Sequence, residues 1–247
     1  MGRRFTAVAA AVIFVVCPEA WGYSLFGTSW GEGATVTYSF DYAGGYSVTE
    51  AGYGTVTTTA MGSAFDAGWE GDIVAALQTW AAICDIAFAE VADNGANFNA
   101  WGAEGDIRIA AHTFDGVYGV LAHGYYPPPN GATAAGDLHF DEDEPWHTGL
   151  GAPSGGEIDL YSVALHELGH SIGLGHSADT NAVMYPFYWY NAPRALGSDD
   201  IAGAQDLYGG NDSGSPTPEP SAAVLALACL ASLGAMRLRL FRGGRHE

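Results

Sequence analysis

His166-Glu167-Leu168-Gly169-His170-Ser171-Ile172-Gly173-Leu174-Gly175-His176 places three imidazoles and one carboxylate within eleven residues. In an α-helix four residues turn through about 400°, so His166 and His170 project from one face and can each offer a ring nitrogen to one ion. Glu167 lies about 100° around from His166, which suits a base that reaches a metal-held water better than a third ligand. Gly173 can take the left-handed conformation that ends a helix, so the chain bends there and His176 returns from a loop. Three protein ligands leave the fourth zinc position to water, the mark of a hydrolytic rather than a structural site. Histidines scattered on a solvent-facing helix would require neither Gly173 nor His176 at these offsets.

The motif resembles that of the metzincins, zinc endopeptidases whose further mark is a methionine turn beneath the metal. Ala182-Val183-Met184-Tyr185-Pro186 is similar to that turn, with Met184 as its apolar floor. Ser177, the wall Pro186-Phe187-Tyr188 and the closing run Ser198 to Gly209 resemble specifically the matrixins, the matrix-metalloprotease branch. The likeness spans roughly Trp30 to Gly209 and is dense only after Asp106. It implies an α+β fold: a small, twisted, mostly parallel sheet with an antiparallel edge strand, a long backing helix, the zinc-binding helix, and a small C-terminal subdomain with the Met184 turn and a final helix. It also implies a zinc metalloendopeptidase in which Glu167 is the general base. Leu121 and Ala122 would lie on an edge that pairs with an extended polypeptide substrate, Ala122 nearest the scissile bond. Ser162, four residues before His166, would line the specificity pocket with Pro186 and Tyr188. A small hydroxyl there implies an open pocket for a bulky apolar side chain after the cut.

A second cluster supports the same resemblance. Phe114-Asp115-Gly116, Leu121-Ala122-His123 and His139-Phe140-Asp141-Glu142-Asp143-Glu144 are similar to the matrixin segment that holds a structural zinc and a calcium. Carried over, His123 and His139 would bind the second zinc, and Asp115, Asp141 and Glu144 would give calcium its carboxylate oxygens. Backbone carbonyls of Gly116, Tyr118 and Val120 would complete the oxygen shell. Matrixins place a histidine and an aspartate two apart well ahead of Phe-Asp-Gly. This chain has only His112, two residues before Phe114 and with no aspartate beside it. The structural zinc is then three-coordinate from protein, altered or absent, and the acidic run alone would equally suit a solvated hairpin. His147 and His246 match no ligand pattern and are expected at the surface.

The chain ends bear on location. Residues 1–22 have Arg3 and Arg4, an apolar run from Phe5 to Val16 and a small-residue site at Ala20-Trp21-Gly22, the layout of a signal peptide. Pro218-Glu219-Pro220, an apolar stretch from Ser221 to Met236 and four terminal arginines resemble the PEP-CTERM sorting signal of Gram-negative bacteria, read by an exosortase-type enzyme. A plain membrane anchor would also place its arginines on the cytoplasmic side. The expected organisation is a signal peptide over 1–22, a catalytic domain over 23–209, a linker over 210–217 rich in Gly, Ser and Pro, and a sorting segment over 218–247. It implies export to the cell surface or extracellular polymer layer, with transient anchoring in the inner membrane.

Charge excludes some partners. Of the 28 acids, only Glu19, Glu219 and Glu247 lie in the ends, leaving 25 between residues 23 and 217, where Arg108 and Arg194 are the only arginines and lysine is absent. Such a surface repels nucleic acid and anionic lipid and suits divalent cations. Cys84 is alone in that region, so no internal disulfide forms, and it is expected as a small buried apolar residue. Vertebrate matrixins are held latent by a prodomain cysteine. No such cysteine lies between residue 23 and the first expected strand, so latency by that route is not expected. A monomer is expected.

Alternation and helical spacing place the elements. Strands are expected over 34–40, 86–91, 107–111, 119–125 and 137–140, and helices over 72–84, 160–172 and 199–207. Residues 41–68, rich in Gly, Thr and Tyr, match nothing in the family, and a hairpin and a disordered insertion are both compatible. An inactive binding protein that keeps the metal scaffold, or a calcium-stabilised structural protein of the polymer layer, is the alternative to an enzyme; the intact Glu167 argues against both.

Overall fold

The computed structural model describes residues 22–210 apart from 51, 130, 131, 189–191 and 193. Residues 1–21 of the expected signal peptide, nearly all of the linker, the sorting segment and His246 lie outside the described residues. Five strands form the main sheet: β1 (Ala34–Phe40), β4 (Ile86–Glu90), β5 (Ile107–His112), β6 (Ala122–Gly124) and β7 (Leu138–Asp141). Their order is β4-β1-β5-β7-β6. All neighbours are parallel except β6 and β7, which pair antiparallel with Ala122 opposite Phe140 and His123 opposite His139. The α+β fold with a mostly parallel sheet and one antiparallel edge is therefore as expected.

Every residue of β5 is buried, as befits a central parallel strand covered on both faces. One of them is Arg108, 1% exposed, whose guanidinium grips Asp93 with two bonds of 2.8 and 3.0 Å and lies 4.3 Å over the Tyr46 ring. This cation is structural. The acidic surface thus keeps only Arg194 among the described arginines.

α2 (Trp69–Ala81) backs the sheet. Ile73, Ala76, Leu77 and Trp80 recur at helical spacing and are all buried, each contributing roughly 1.5–3 kcal/mol for the larger side chains. The helix begins three residues before the expected start, because Gly68 at φ 108° turns the chain into it and Glu70 and Asp72 favour its positive end. It also ends before Ile83 and Cys84. Cys84 is fully buried and free, as expected.

α3 (Leu160–Ser171) packs across α2, where Trp80 Nε1 donates to the Leu165 carbonyl at 2.9 Å. Asp159 caps its start by accepting from the Ser162 amide. Its end is a Schellman turn: Gly173 at φ 106° donates to the His170 carbonyl at 2.9 Å, and Leu174 donates to the Gly169 carbonyl at 2.9 Å. The last carbonyls are satisfied from outside the helix, Ser171 by Trp30 Nε1 at 2.8 Å and Ile172 by the Tyr208 hydroxyl at 2.6 Å. α4 (Ser198–Tyr208) supplies that tyrosine.

The described residues of 41–68 take the hairpin option of the two compatible with the sequence. They form the hairpin of β2 (Ser47–Glu50) and β3 (Gly54–Thr57), followed by the single turn α1 (Met61–Ala64). Tyr46 and Val48 bury themselves against Ala110 of β5, and Thr59 donates to the Ala111 carbonyl at 2.9 Å. A short parallel pair, β8 (Trp146–His147) with β9 (Ile158–Asp159), leads into α3. His147 is partly exposed and contacts Glu157 at 3.4 Å.

Candidate metal centre and active-site cleft

α3 presents His166 and His170 one turn apart, and the bend at Gly173 returns His176 to them. The ring centroids are 4.9 Å apart for His166 and His170, 4.8 Å for His170 and His176, and 5.4 Å for His166 and His176. Their ligand nitrogens lie within 4.8 Å of one another. His166 Nδ1 sits 2.7 Å from the Val183 carbonyl and His170 Nδ1 2.8 Å from that of Leu174. A carbonyl only accepts, so each Nδ1 carries the proton and each Nε2 keeps its lone pair, the tautomer a metal needs. Burial pushes both imidazoles down to about 4, which keeps them neutral at ordinary pH. The donor set therefore fits zinc.

Glu167 projects beside these rings and is only 8% exposed. Burial raises its pKa against the opposing pull of His170, His123 and His176 and a hydrogen bond from the Gly124 amide. That amide belongs to β6, so the sheet edge touches the helix at the carboxylate that the motif marks as a base.

Met184 lies beneath. A Cβ on Gly169 would collide with the Met184 sulfur, so the helix rests on the turn with no room for a side chain. Asp200 of α4 holds the turn by accepting from the amides of Val183 at 2.8 Å, Met184 at 3.0 Å and Gly197 at 2.8 Å. Neighbouring Asp199 accepts from the Ser177 hydroxyl and, at 2.9 Å, from the Tyr23 amide. Helical spacing alone gives no sign that either aspartate faces inward.

A cleft of about 810 Å³ runs past the three histidines, lined by Leu121, Ala122, Ser162, Pro186 and Tyr188. All five predicted substrate-contact residues thus border one space. Leu121 and Ala122 lie where expected, although the regular strand is only Ala122–Gly124 rather than 119–125. Ser162 donates its hydroxyl to Asp159, which is also paired with Arg194 at 3.0 Å. The Tyr188 hydroxyl accepts from the Asp159 amide at 2.9 Å. Tyr126, missed in the sequence, lines the cleft edge-on to His170 at 5.5 Å and stacks on Phe26 at 3.7 Å.

The upstream cluster divides in two. His112, His123 and His139 converge as expected, and a fourth group absent from the expectation joins them: the carboxylate of Glu50, from β2. Asp141 ends β7, and Asp115 and Glu144 sit in the loops before β6 and after β7. Asp141 Oδ1 accepts from the Phe114 and Asp143 amides, and Glu144 Oε2 from that of Tyr118 at 2.8 Å. Asp115 Oδ1 accepts from Val120 at 2.9 Å. The other oxygens, Asp141 Oδ2 and Glu144 Oε1, are buried without a hydrogen-bond partner. Among the described residues this trio does not bring three ligand atoms within 4.8 Å, unlike the two histidine clusters.

A mostly parallel sheet facing a helix with His-Glu-x-x-His, a glycine bend, a returning histidine and a methionine turn defines a metzincin-type protein. The chain belongs to the matrixin family, whose sequence profile matches residues 52–209. It is 40% identical over 149 residues to interstitial collagenase of Sus scrofa, covering 58% of this chain and 30% of that protein. It is 40% identical over 150 residues to macrophage metalloelastase of Oryctolagus cuniculus, covering 59% and 30%. Identity reaches 48% over 109 residues with matrix metalloproteinase-16 of Homo sapiens, covering 43% and 17%. The chain thus spans at most about a third of the length of these relatives.

Proposed function

We propose that the protein is a zinc-dependent endopeptidase that holds an extended polypeptide along β6 and hydrolyses it above α3. The observation that carries this reading is the tautomer of His166 and His170, whose outer nitrogens are committed to backbone carbonyls while the inner ones face His176 and the cleft. His166, His170 and His176 would hold the zinc, which would supply Lewis acidity for the hydrolysis. Glu167 takes a proton from the attacking water and returns it to the leaving amine. Leu121 and Ala122 offer backbone groups to the substrate strand. Ser162, Pro186 and Tyr188 border the pocket for the side chain after the cut, and Met184 supports the histidines from below. The names of the relatives, a collagenase and a metalloelastase, agree with a polypeptide substrate.

Calcium is assigned to Asp115, Asp141 and Glu144, with the carbonyls of Gly116, Tyr118 and Val120; the orphaned oxygens of Asp141 and Glu144 favour it. Residues 1–22 serve export, 23–209 form the catalytic domain, and 210–217 link it to a sorting segment over 218–247. A mass measurement on the exported protein tests both ends. Casein hydrolysis tests the activity: a chelator should abolish it and zinc restore it. Cleavage that persists in Glu167→Ala would overturn the mechanism, and no cleavage of any of several substrates would favour an inert binding protein.

A further inference from the structure

We propose that Arg194 decides which side chain the pocket after the cut accepts: by cancelling the charge of Asp159 behind Ser162 and Tyr188, it keeps the pocket selective for an apolar residue over a cationic one. The inference rests on the endopeptidase reading and adds a residue that does not itself line the cleft.

Asp159 ends β9 and caps α3, with its side chain 3% exposed. Its Oδ2 accepts from the Ser162 amide at 3.3 Å and from the Ser162 hydroxyl, and lies 3.0 Å from Arg194 Nε. Its amide donates to the Tyr188 hydroxyl at 2.9 Å. Ser162 and Tyr188 both line the cleft, so Asp159 stands one hydrogen bond behind two of the pocket's residues. Its second oxygen, Oδ1, is buried without a hydrogen-bond partner. A buried carboxylate is costly unless paired, and the Ser162 hydroxyl brings no charge to it; Arg194 does. The guanidinium is fixed from two further sides, donating to the Gly151 carbonyl and lying 5.2 Å from the centre of the Tyr161 ring.

No other arginine or lysine can replace it. Between residues 23 and 217 the sequence holds Arg108, Arg194 and no lysine, and Arg108 is committed to Asp93. Two more carboxylates lie at the same end of the cleft. Asp72, also buried, accepts from the Gly149 amide at 2.6 Å, in the loop that Arg194 grips at Gly151. Glu157 lines the cleft and has His147 at 3.4 Å. With Arg194 in place, a lysine entering the pocket loses its hydration and meets a carboxylate already neutralised. Without Arg194 the same lysine would meet an uncancelled negative charge in a poorly screened setting.

The test uses two peptides that differ only in leucine or lysine directly after the scissile bond, cleaved by the full-length protein. Wild type should favour leucine. Arg194→Gln should lower the leucine-to-lysine ratio of kcat/KM at least about tenfold, and Arg194→Lys should largely keep it. Adding Asp159→Asn to Arg194→Gln should restore the ratio, because asparagine caps a helix as well as aspartate but carries no charge. A purely structural role for Arg194 would lower both peptides alike and would gain nothing from the second substitution. Should Arg194→Gln fail to fold, Asp159→Asn alone uncovers the guanidinium and should raise the ratio. The same ratio, read as Kd by fluorescence anisotropy in a Glu167→Ala background, reports the pocket without turnover. Binding that follows this pattern in a protein whose wild type cleaves neither peptide would sink the endopeptidase reading and uphold the role of Arg194. An unchanged ratio in Arg194→Gln or in Asp159→Asn, no recovery in the double variant, or binding of neither peptide would overturn the proposal.

Discussion

His166 Nδ1 and the Val183 carbonyl oxygen are 2.7 Å apart, so the first histidine of the helix is oriented by the residue next to Met184. Val183 is in turn held through its amide by Asp200. The sequence of contacts runs from α4 through the methionine turn to a ring nitrogen in the cleft.

Asp200→Asn should therefore disturb the metal without touching it. The carboxylate accepts three amide protons, and an amide group in its place turns one acceptor into a donor facing an N–H. A loss of about 1–3 kcal/mol in stability is expected for a buried donor left unsatisfied. Zinc affinity should fall roughly tenfold through misplacement of His166. Chemical denaturation and chelator competition read the two effects separately.

Gly169→Ala places a methyl group against the Met184 sulfur and 3.1 Å from the Trp80 ring. Overpacking of this kind costs about 1–3 kcal/mol. The double variant with Met184→Ala should recover part of that loss, giving a non-additive cycle in thermal unfolding. Strict additivity would mean that the two residues do not meet.

Glu167→Ala should lower kcat/KM by about 10²–10⁴, the usual worth of a general base, while zinc content stays at the wild-type value. Peptide hydrolysis with metal analysis on the same sample checks both. Loss of zinc alongside loss of activity would make Glu167 a ligand rather than a base.

Ser162→Leu fills the cleft beside His166 with an isobutyl group. Cleavage before bulky apolar residues should fall at least about tenfold relative to cleavage before alanine, within the range that pocket-filling changes produce. Ratios of kcat/KM on paired peptides report it, and an unchanged ratio would remove Ser162 from the pocket.

Cys84 should be inert. Burial pushes its thiol up to about 12, with Asp85 adding to the shift, so the reactive thiolate is scarce at ordinary pH. Peptide mapping after iodoacetamide treatment should find Cys84 unmodified in the folded protein near pH 8 and fully modified in denaturant. Because the folded pKa is the higher one, the stability Cys84 contributes is intact below about 9 and declines only as pH rises toward 12.

The proposed catalytic residues were legible because they lie close together in the chain. His166, Glu167, His170, Gly173 and His176 belong to one helix and its terminus, where the angle per residue converts spacing into direction. Strands such as β1, with bounds of 34–40 in both readings, were legible for the same reason: alternation is a local property. Element ends were less so, since the start of α2 depended on Gly68 and the short span of β6 on where β7 stops pairing with it.

Tertiary structure alone decided which distant groups share a space. Nothing local to Ser47-Val48-Thr49-Glu50 says that its carboxylate meets three histidines, because that meeting depends on how the hairpin returns over β5. Nothing local to Arg108 says that it is buried, because Asp93 and Tyr46 provide its partners from elsewhere in the chain. The amino-acid sequence by itself determined the helix that carries His166 and His170, its glycine bend and the strands around it. The fold determined what surrounds them, because contacts between elements are set by the path of the whole chain and leave no period within any one segment.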